Sequence, residues 1–208
     1  MSAELFTIAT SSTPGLDRLR KSLSVFEVPV TVLGQGDYFA GHCWKWKRFI
    51  RAARASQAEI VIHCDAYDSI CLTTLDQMSS RFESLAHPII FSCWPPFEPG
   101  LSRVLNPGLV MAKRDALVAV FNDELLDAFF PDHFNDETQI GSLDGWNPGL
   151  FKADEQGSLF HTAAPNSGEL VEQNSKLVNP ATGFSPSFVH APNKWDLSKV
   201  EQWLADHD

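Results

Sequence analysis

Two aspartates, Asp65 and Asp68, close an apolar run, Ile60-Val61-Ile62-His63-Cys64, with Ala66 and Tyr67 between them. Carboxylates at i and i+3 across a turn can chelate a hard divalent cation such as Mg²⁺ or Mn²⁺. Such a cation can neutralise a diphosphate as it becomes a leaving group. Tyr67 can offer a flat ring beside it. The competing reading is a helix-capping aspartate next to a surface one. His190 ends a second short apolar run and is a candidate third ligand, although a lone histidine is more often a satisfied structural residue. An O,O,N ligand set would favour Mn²⁺ over Mg²⁺.

A cationic group comes next. Lys45, Lys47, Arg48, Arg51 and Arg54 fall within ten positions, beside Trp44 and Trp46, in a chain with 16 basic residues and a net charge of −10. One reading is an anion site, for phosphate or for nucleic acid with aromatic stacking. The other is a solvated helix face. Asp136 and Glu137, after Phe134-Asn135, could supply a general base or bind a sugar hydroxyl. Acids in a first helical turn are also favoured by the helix dipole alone. There is no nucleophile elbow, no P-loop and no GxGxxG; Gly34-Gln35-Gly36 is too short for a dinucleotide fingerprint.

Acids at such a position need a buried parallel strand that delivers them to the C-terminal edge of a sheet. The pattern predicts strands over residues 5–10, 28–33, 89–93 and 105–111, besides the run that starts at Ile60. Thr13 is suited to cap a first helix with Pro14 at its first position, and Leu16, Leu19, Leu23 and Phe26 then recur at helical spacing. Further helices are expected over residues 43–55, 73–85, 113–130, a short one over 136–142 and a closing one over 196–205. Residues 144–187 read as irregular with short strands, and residues 188–190 as a last strand. The βαβαβ order predicts an α/β fold with a parallel sheet and right-handed crossovers.

The totals allow one α/β domain: 208 residues, 44% hydrophobic and 20% charged, with 15 Phe and 6 Trp for a core. The acidic balance argues against a chain that coats nucleic acid or an anionic membrane. Cys43, Cys64, Cys71 and Cys93 show no CxxC pairing, so buried free thiols in a reducing compartment are expected. The first residues carry no basic n-region, and no run reaches the roughly 18 apolar residues of a membrane span. A cytoplasmic location without membrane contact is the expectation.

Taken in order, Thr7-Ile8-Ala9-Thr10 with Thr13 and Gly15, Val32-Leu33-Gly34-Gln35-Gly36, Lys45, Asp65-Ala66-Tyr67-Asp68, Phe91-Ser92-Cys93-Trp94-Pro95, Asn106-Pro107-Gly108, Asp136-Glu137 and Val189-His190 with Lys194 resemble one family. It is the glycosyltransferase domain of procollagen lysyl hydroxylases and the related collagen galactosyltransferases. The resemblance implies a GT-A (Rossmann-like) fold with a mostly parallel sheet flanked by helices and an irregular C-terminal part. It implies a UDP-sugar donor and Mn²⁺ (or Mg²⁺). Asp65, Asp68 and His190 would hold the metal. Ile8, Thr10, Lys45, Asp65, Tyr67, Asn193 and Lys194 would bind the nucleotide, with Tyr67 stacked on uracil. Asp136 and Glu137 would be catalytic, near sugar and acceptor. Residues 1–112 would form the nucleotide-binding half and 113–208 the acceptor-side half.

The sequence departs from that family in places. Gly41-His42-Cys43-Trp44 replaces a glycine-rich stretch, Phe39 stands for a tryptophan, Pro107 for a serine and Glu137 for a second aspartate. The implied reaction moves glucose or galactose to a hydroxyl, of hydroxylysine type by resemblance. The length and the missing secretion signal suggest a bacterial, phage or viral enzyme, and with it a hydroxymethylated DNA base as an alternative acceptor. A catalytically inactive UDP-sugar-binding module is the third reading.

Overall fold

The computed structural model describes residues 2–94, 104–164, 167–192 and 196–207. The elements run β1 (Ala3–Ile8), α1 (Pro14–Val25), β2 (Val30–Leu33), α2 (His42–Ala55), β3 (Ile60–Asp65), β4 (Ser69–Cys71), α3 (Leu75–Ser84), β5 (Ile89–Cys93) and β6 (Leu105–Lys113). They continue with α4 (Arg114–Val120), α5 (Asp123–Phe129), α6 (Asp136–Trp146), β7 (Lys152–Ala153), β8 (Phe160–Thr162), β9 (Val171–Gln173), β10 (Lys176–Val178), β11 (Phe188–His190) and α7 (Ser198–Asp206).

The main sheet has the order β2-β1-β3-β6-β5-β7. β1 runs parallel to both β2 and β3, and β5 parallel to β7. β6 alone is antiparallel, to β3 and β5, which the βαβαβ order did not foretell. A second sheet, β4-β11-β8, stands beside it, and β9 and β10 form a hairpin.

Alternation along the buried strands divides the core into two layers. Phe6, Val61, Phe91 and Val110 meet Trp46, Phe49 and Ile50 of α2 on one face. Leu5, Ile60, Ile62, Cys64 and Met111 meet Leu19 and Leu23 of α1 with Met78 and Phe82 of α3 on the other. All four cysteines are buried. Thr13 caps α1 as expected, its hydroxyl accepting from the Leu16 amide.

The expected helix over 113–130 is two helices, α4 and α5. The Asn122 side chain accepts the Leu125 amide at 2.9 Å and so starts α5 afresh. A capping Asn competes with the continuing backbone ladder. Phe121 then leaves the helical path to stack on Phe151, ring centroids 5.8 Å apart. No helix among the described residues is long and apolar enough to cross a membrane.

Candidate metal centre

β1 is flanked by β2 on one side and β3 on the other, so the crevice at the carboxyl ends of β1 and β3 is a topological switch point, where α/β sheets bind ligands. Register places Ile8 of β1 directly beside Asp65 of β3. The chain then turns through Ala66-Tyr67-Asp68 into β4, which runs antiparallel to β11, with Ser69 opposite His190. The Ala191 amide donates to the Asp68 carbonyl at 2.8 Å and fixes the two ends together. That short second sheet is what carries His190 to the acids.

His190 Nε2 lies 3.6 Å from Asp65 Oδ2 and 3.3 Å from Asp68 Oδ1. Each of the three residues offers a ligand atom within 4.8 Å of the others. Among the described residues, Asp68 Oδ1 and both ring nitrogens of His190 are buried without a hydrogen-bond partner. Buried polar atoms are nearly always paired, so orphaned donors and acceptors converging on one point fit a cation. The set of two carboxylate oxygens and one imidazole nitrogen suits a hard to borderline divalent ion.

Lys45 enters from α2. Its Nζ lies 2.6 Å from Asp65 Oδ1 and 3.6 Å from Asp136 Oδ2. Burial works against charge on Lys45, but Asp65 and Asp136 outweigh it and hold the ammonium above its ordinary value. Burial likewise works against the Asp65 carboxylate, and Lys45, His63 and His190 outweigh it, holding the group below the usual range. His63, fully buried on β3, sits with Nε2 3.4 Å from Asp65 Oδ1; burial lowers its pKa and keeps the imidazole neutral.

Asp136 and Glu137 open α6, whose cap Asn135 accepts the Glu137 amide at 2.8 Å. Both acids lie in the first turn of α6, where the helix dipole favours negative charge. Asp136 is buried with Oδ2 turned to Lys45. Glu137 accepts from Trp94 Nε1 at 2.8 Å, and burial raises its carboxyl above the ordinary value against that bond. The N-terminus of α2 is tied to the same region. The Cys43 and Trp44 amides donate to the carbonyls of Phe134 and Asp132 at 3.1 and 3.2 Å. Gly41 has φ +137, and a β-carbon there would strike the backbone of Asp132 and His133. This contact explains the glycine at that point of the Gly41-His42-Cys43-Trp44 stretch.

A cleft of about 390 Å³ opens beside the acids, lined by Ile8, Thr10, Phe39, Lys45, Asp65 and Tyr67 among others. Tyr67 is 39% exposed. Its hydroxyl accepts from the Thr10 and Ser11 amides at 3.1 and 3.3 Å, which pins the ring across the loop after β1. Its carbonyl accepts from Arg18 at 2.8 Å and packs so closely on Gly15 that a β-carbon there would lie 2.8 Å from the Tyr67 Cα. The residues Ile8, Thr10, Lys45, Asp65, Tyr67, Asp68, Asp136 and His190 therefore come together at one place, with Glu137 at its edge. Asn193 and Lys194, and Pro95, lie outside the described residues.

The cationic segment does not act as one face. Lys47 pairs with Asp132, Arg48 with Asp37 and Arg54 with Asp123, at 3.0, 2.6 and 2.6 Å. Trp46 is fully buried in the core. Arg48 lies over Trp44, 4.9 Å from the ring centroid. His63 and Arg18 were not singled out by sequence. For His63 a signal exists, since residues i and i+2 of a strand share a face. For Arg18 none does, because its partners, the Tyr67 carbonyl and the Glu201 carboxylate, come from distant segments.

Residues 2–99 match the family model described as the PLOD GT domain. A procollagen-lysine,2-oxoglutarate 5-dioxygenase of Drosophila melanogaster is 29% identical over 97% of this chain, and 32% of that protein is covered. The chain thus spans about a third of the length of the curated relative it matches. Among solved structures, a glycosyltransferase involved in glycosylation of the major capsid of PBCV-1 has a TM-score of 0.55 at 12% identity, covering 99% of this chain and 100% of that one. Mouse xyloside xylosyltransferase 1 has a TM-score of 0.54 at 8% identity, covering 93% and 98%. The fold is GT-A, and the sequence resemblance to the glycosyltransferase domain of the lysyl hydroxylases holds.

Proposed function

We propose that this chain, similar in sequence to the glycosyltransferase domain of lysyl hydroxylases, transfers a hexose from a UDP-sugar to a hydroxyl acceptor with a divalent cation. One observation carries the reading. The unpartnered Asp68 Oδ1 and His190 Nε2 converge with Asp65 Oδ2 beside a cleft whose other wall is Ile8, Thr10 and Tyr67.

Asp65, Asp68 and His190 would hold Mn²⁺ or Mg²⁺. Bound there, the cation would supply charge neutralisation for the departing diphosphate. Tyr67 offers its ring to the uracil, and the backbone around Ile8 and Thr10 closes the base pocket. Lys45 holds the Asp65 carboxyl below the usual carboxylate range, faces Asp136 at 3.6 Å and adds positive charge beside the leaving group. Asp136 and Glu137, at the start of α6, stand ready to take the proton of the acceptor hydroxyl. Glu137, with its raised carboxyl, is suited to hold a proton nearer neutrality than an ordinary glutamate.

We favour glucose over galactose as the donor sugar and a hydroxylysine-type side chain as the acceptor. Likeness to a protein named as a procollagen-lysine dioxygenase supports the second choice. A hydroxymethylated DNA base is less well supported, since Lys47, Arg48 and Arg54 are already matched to aspartates. The converging Asp65, Asp68 and His190 count against an inactive module.

UDP release from UDP-glucose and UDP-galactose tests the reading, with and without hydroxylysine peptide or hydroxymethylated DNA. Release should require Mn²⁺ or Mg²⁺, stop on chelation and fall by on the order of 100-fold in Asp68→Ala. If that variant released UDP as fast as the parent, the metal reading would be wrong. UDP binding without turnover of any donor would favour the inactive module.

A further inference from the structure

His63 is fully buried on β3, and the alternation of the strand puts it on the same face as Asp65. Its ring lies 5.2 Å from that of Phe49, and neither ring nitrogen makes a hydrogen bond among the described residues. A phenylalanine or leucine would fill this space without burying two unpaired polar atoms, so packing does not account for an imidazole here.

Among the described residues, Asp65 is a polar group within its reach, and its two oxygens face different ways. Oδ1 points inward, 2.6 Å from Lys45 Nζ and 3.4 Å from His63 Nε2. Oδ2 points to His190 Nε2 at 3.6 Å, on the side of the converging ligands. We propose that His63 is a positioning residue of the metal centre: with Lys45 it anchors Oδ1 of Asp65 and leaves Oδ2 alone for the cation. The inference rests on the cation reading of Asp65, Asp68 and His190.

The His63 separation of 3.4 Å is about 0.5 Å longer than a formed N–H···O bond, and anchoring by His63 requires a shift of that size. With that gap closed, an aspartate held by two donors on one oxygen cannot turn to chelate with both. It gives the cation one ligand atom and keeps the remaining positions open for phosphate oxygens and water. The orientation is set before the cation arrives, so no ordering cost falls on binding. Partners of this kind are typically worth about 10- to 100-fold in metal affinity.

Mn²⁺ titration of the full chain, with free Mn²⁺ read by electron paramagnetic resonance, tests the proposal. The variants are His63→Phe, His63→Gln and Asp68→Ala, each also melted in chelator. His63→Phe should bind Mn²⁺ about 10- to 100-fold more weakly while its cation-free melting temperature is equal or higher. His63→Gln keeps a side-chain N–H donor and should stay within about threefold of the parent. Unchanged affinity in His63→Phe overturns the proposal. So does a loss matched by an equally low melting temperature that His63→Gln shares, because that is a core defect. A parent that binds Mn²⁺ no better than Asp68→Ala overturns the cation reading itself, and this inference with it.

Discussion

Gly108 on β6 lies flat against the imidazole of His190. A β-carbon at this glycine would stand 2.8 Å from both Nδ1 and Nε2 and nearer still to Cε1. The glycine is required by the ring, since the Gly108 backbone needs no unusual φ. Gly108→Ala should therefore push His190 off the ligand position. Cation affinity should fall by at least about 10-fold, with about 1–3 kcal/mol of overpacking cost. Gly108→Ala with His190→Ala should recover the stability but not the affinity, a non-additivity expected of touching residues. Denaturant unfolding and Mn²⁺ titration read the two effects separately.

Lys45 serves two acids at once, Asp65 and Asp136. Replacing it with methionine leaves two buried carboxylates without their cation. Removing one partner of a buried charge pair is strongly destabilising, and about 3 kcal/mol is expected for Lys45→Met without metal. Mn²⁺ should restore part of that loss, because it supplies positive charge to the other oxygen of Asp65. Unfolding midpoints in chelator and in saturating Mn²⁺ check both statements. Equal loss in the two conditions would mean that Lys45 and the cation do not share Asp65.

Much of this geometry is legible along the chain, and the reason is local. The run from Ile60 ends at Asp65 because a strand buried on both faces must be apolar until it reaches the sheet edge. Thr13-Pro14 announces its helix by capping chemistry. What the linear pattern lacks is anything that depends on two distant pieces meeting. β4 is three residues long, and only its pairing with β11 makes it a strand and brings Asp68 to His190. The break between α4 and α5 is hidden because Leu117, Val120, Phe121 and Leu125 keep helical spacing across it. The Asn122 cap decides the outcome. Lys45 is legible as a cation, but its acids come from β3 and α6.

Tyr67 is the base platform of the proposed function, held at its hydroxyl by the Thr10 and Ser11 amides. A base stacked on an aromatic ring is worth about 1–3 kcal/mol, so Tyr67→Ala should weaken UDP binding by roughly 5- to 150-fold. Tyr67→Phe keeps the ring and loses the anchor, and should fall between parent and Tyr67→Ala. Equilibrium binding of UDP, measured by calorimetry with Mn²⁺ present, gives the order. A Tyr67→Ala variant that binds UDP as well as the parent would remove the ring from the nucleotide site.

His161 on β8 sits beside Val189 of β11 and is buried. Burial disfavours the imidazolium and lowers its pKa to about 4 from an ordinary 6.5. The unfolded chain takes up this proton as pH falls through about 6.5, whereas the native chain resists until about 4. The unfolded state thus binds more protons in that window. Its contribution to stability is fully present above pH 6.5 and is lost progressively as pH falls to about 4, by about 3 kcal/mol in all. His161→Leu should flatten the dependence of unfolding free energy on pH over this window, measured in chelator so that the metal ligands contribute no cation linkage. His63, buried and shifted in the same direction, keeps part of the slope in both proteins. Parallel curves for parent and variant would mean that His161 is hydrated in the native state. The β8–β11 contact that carries His190 would then be looser than its burial implies.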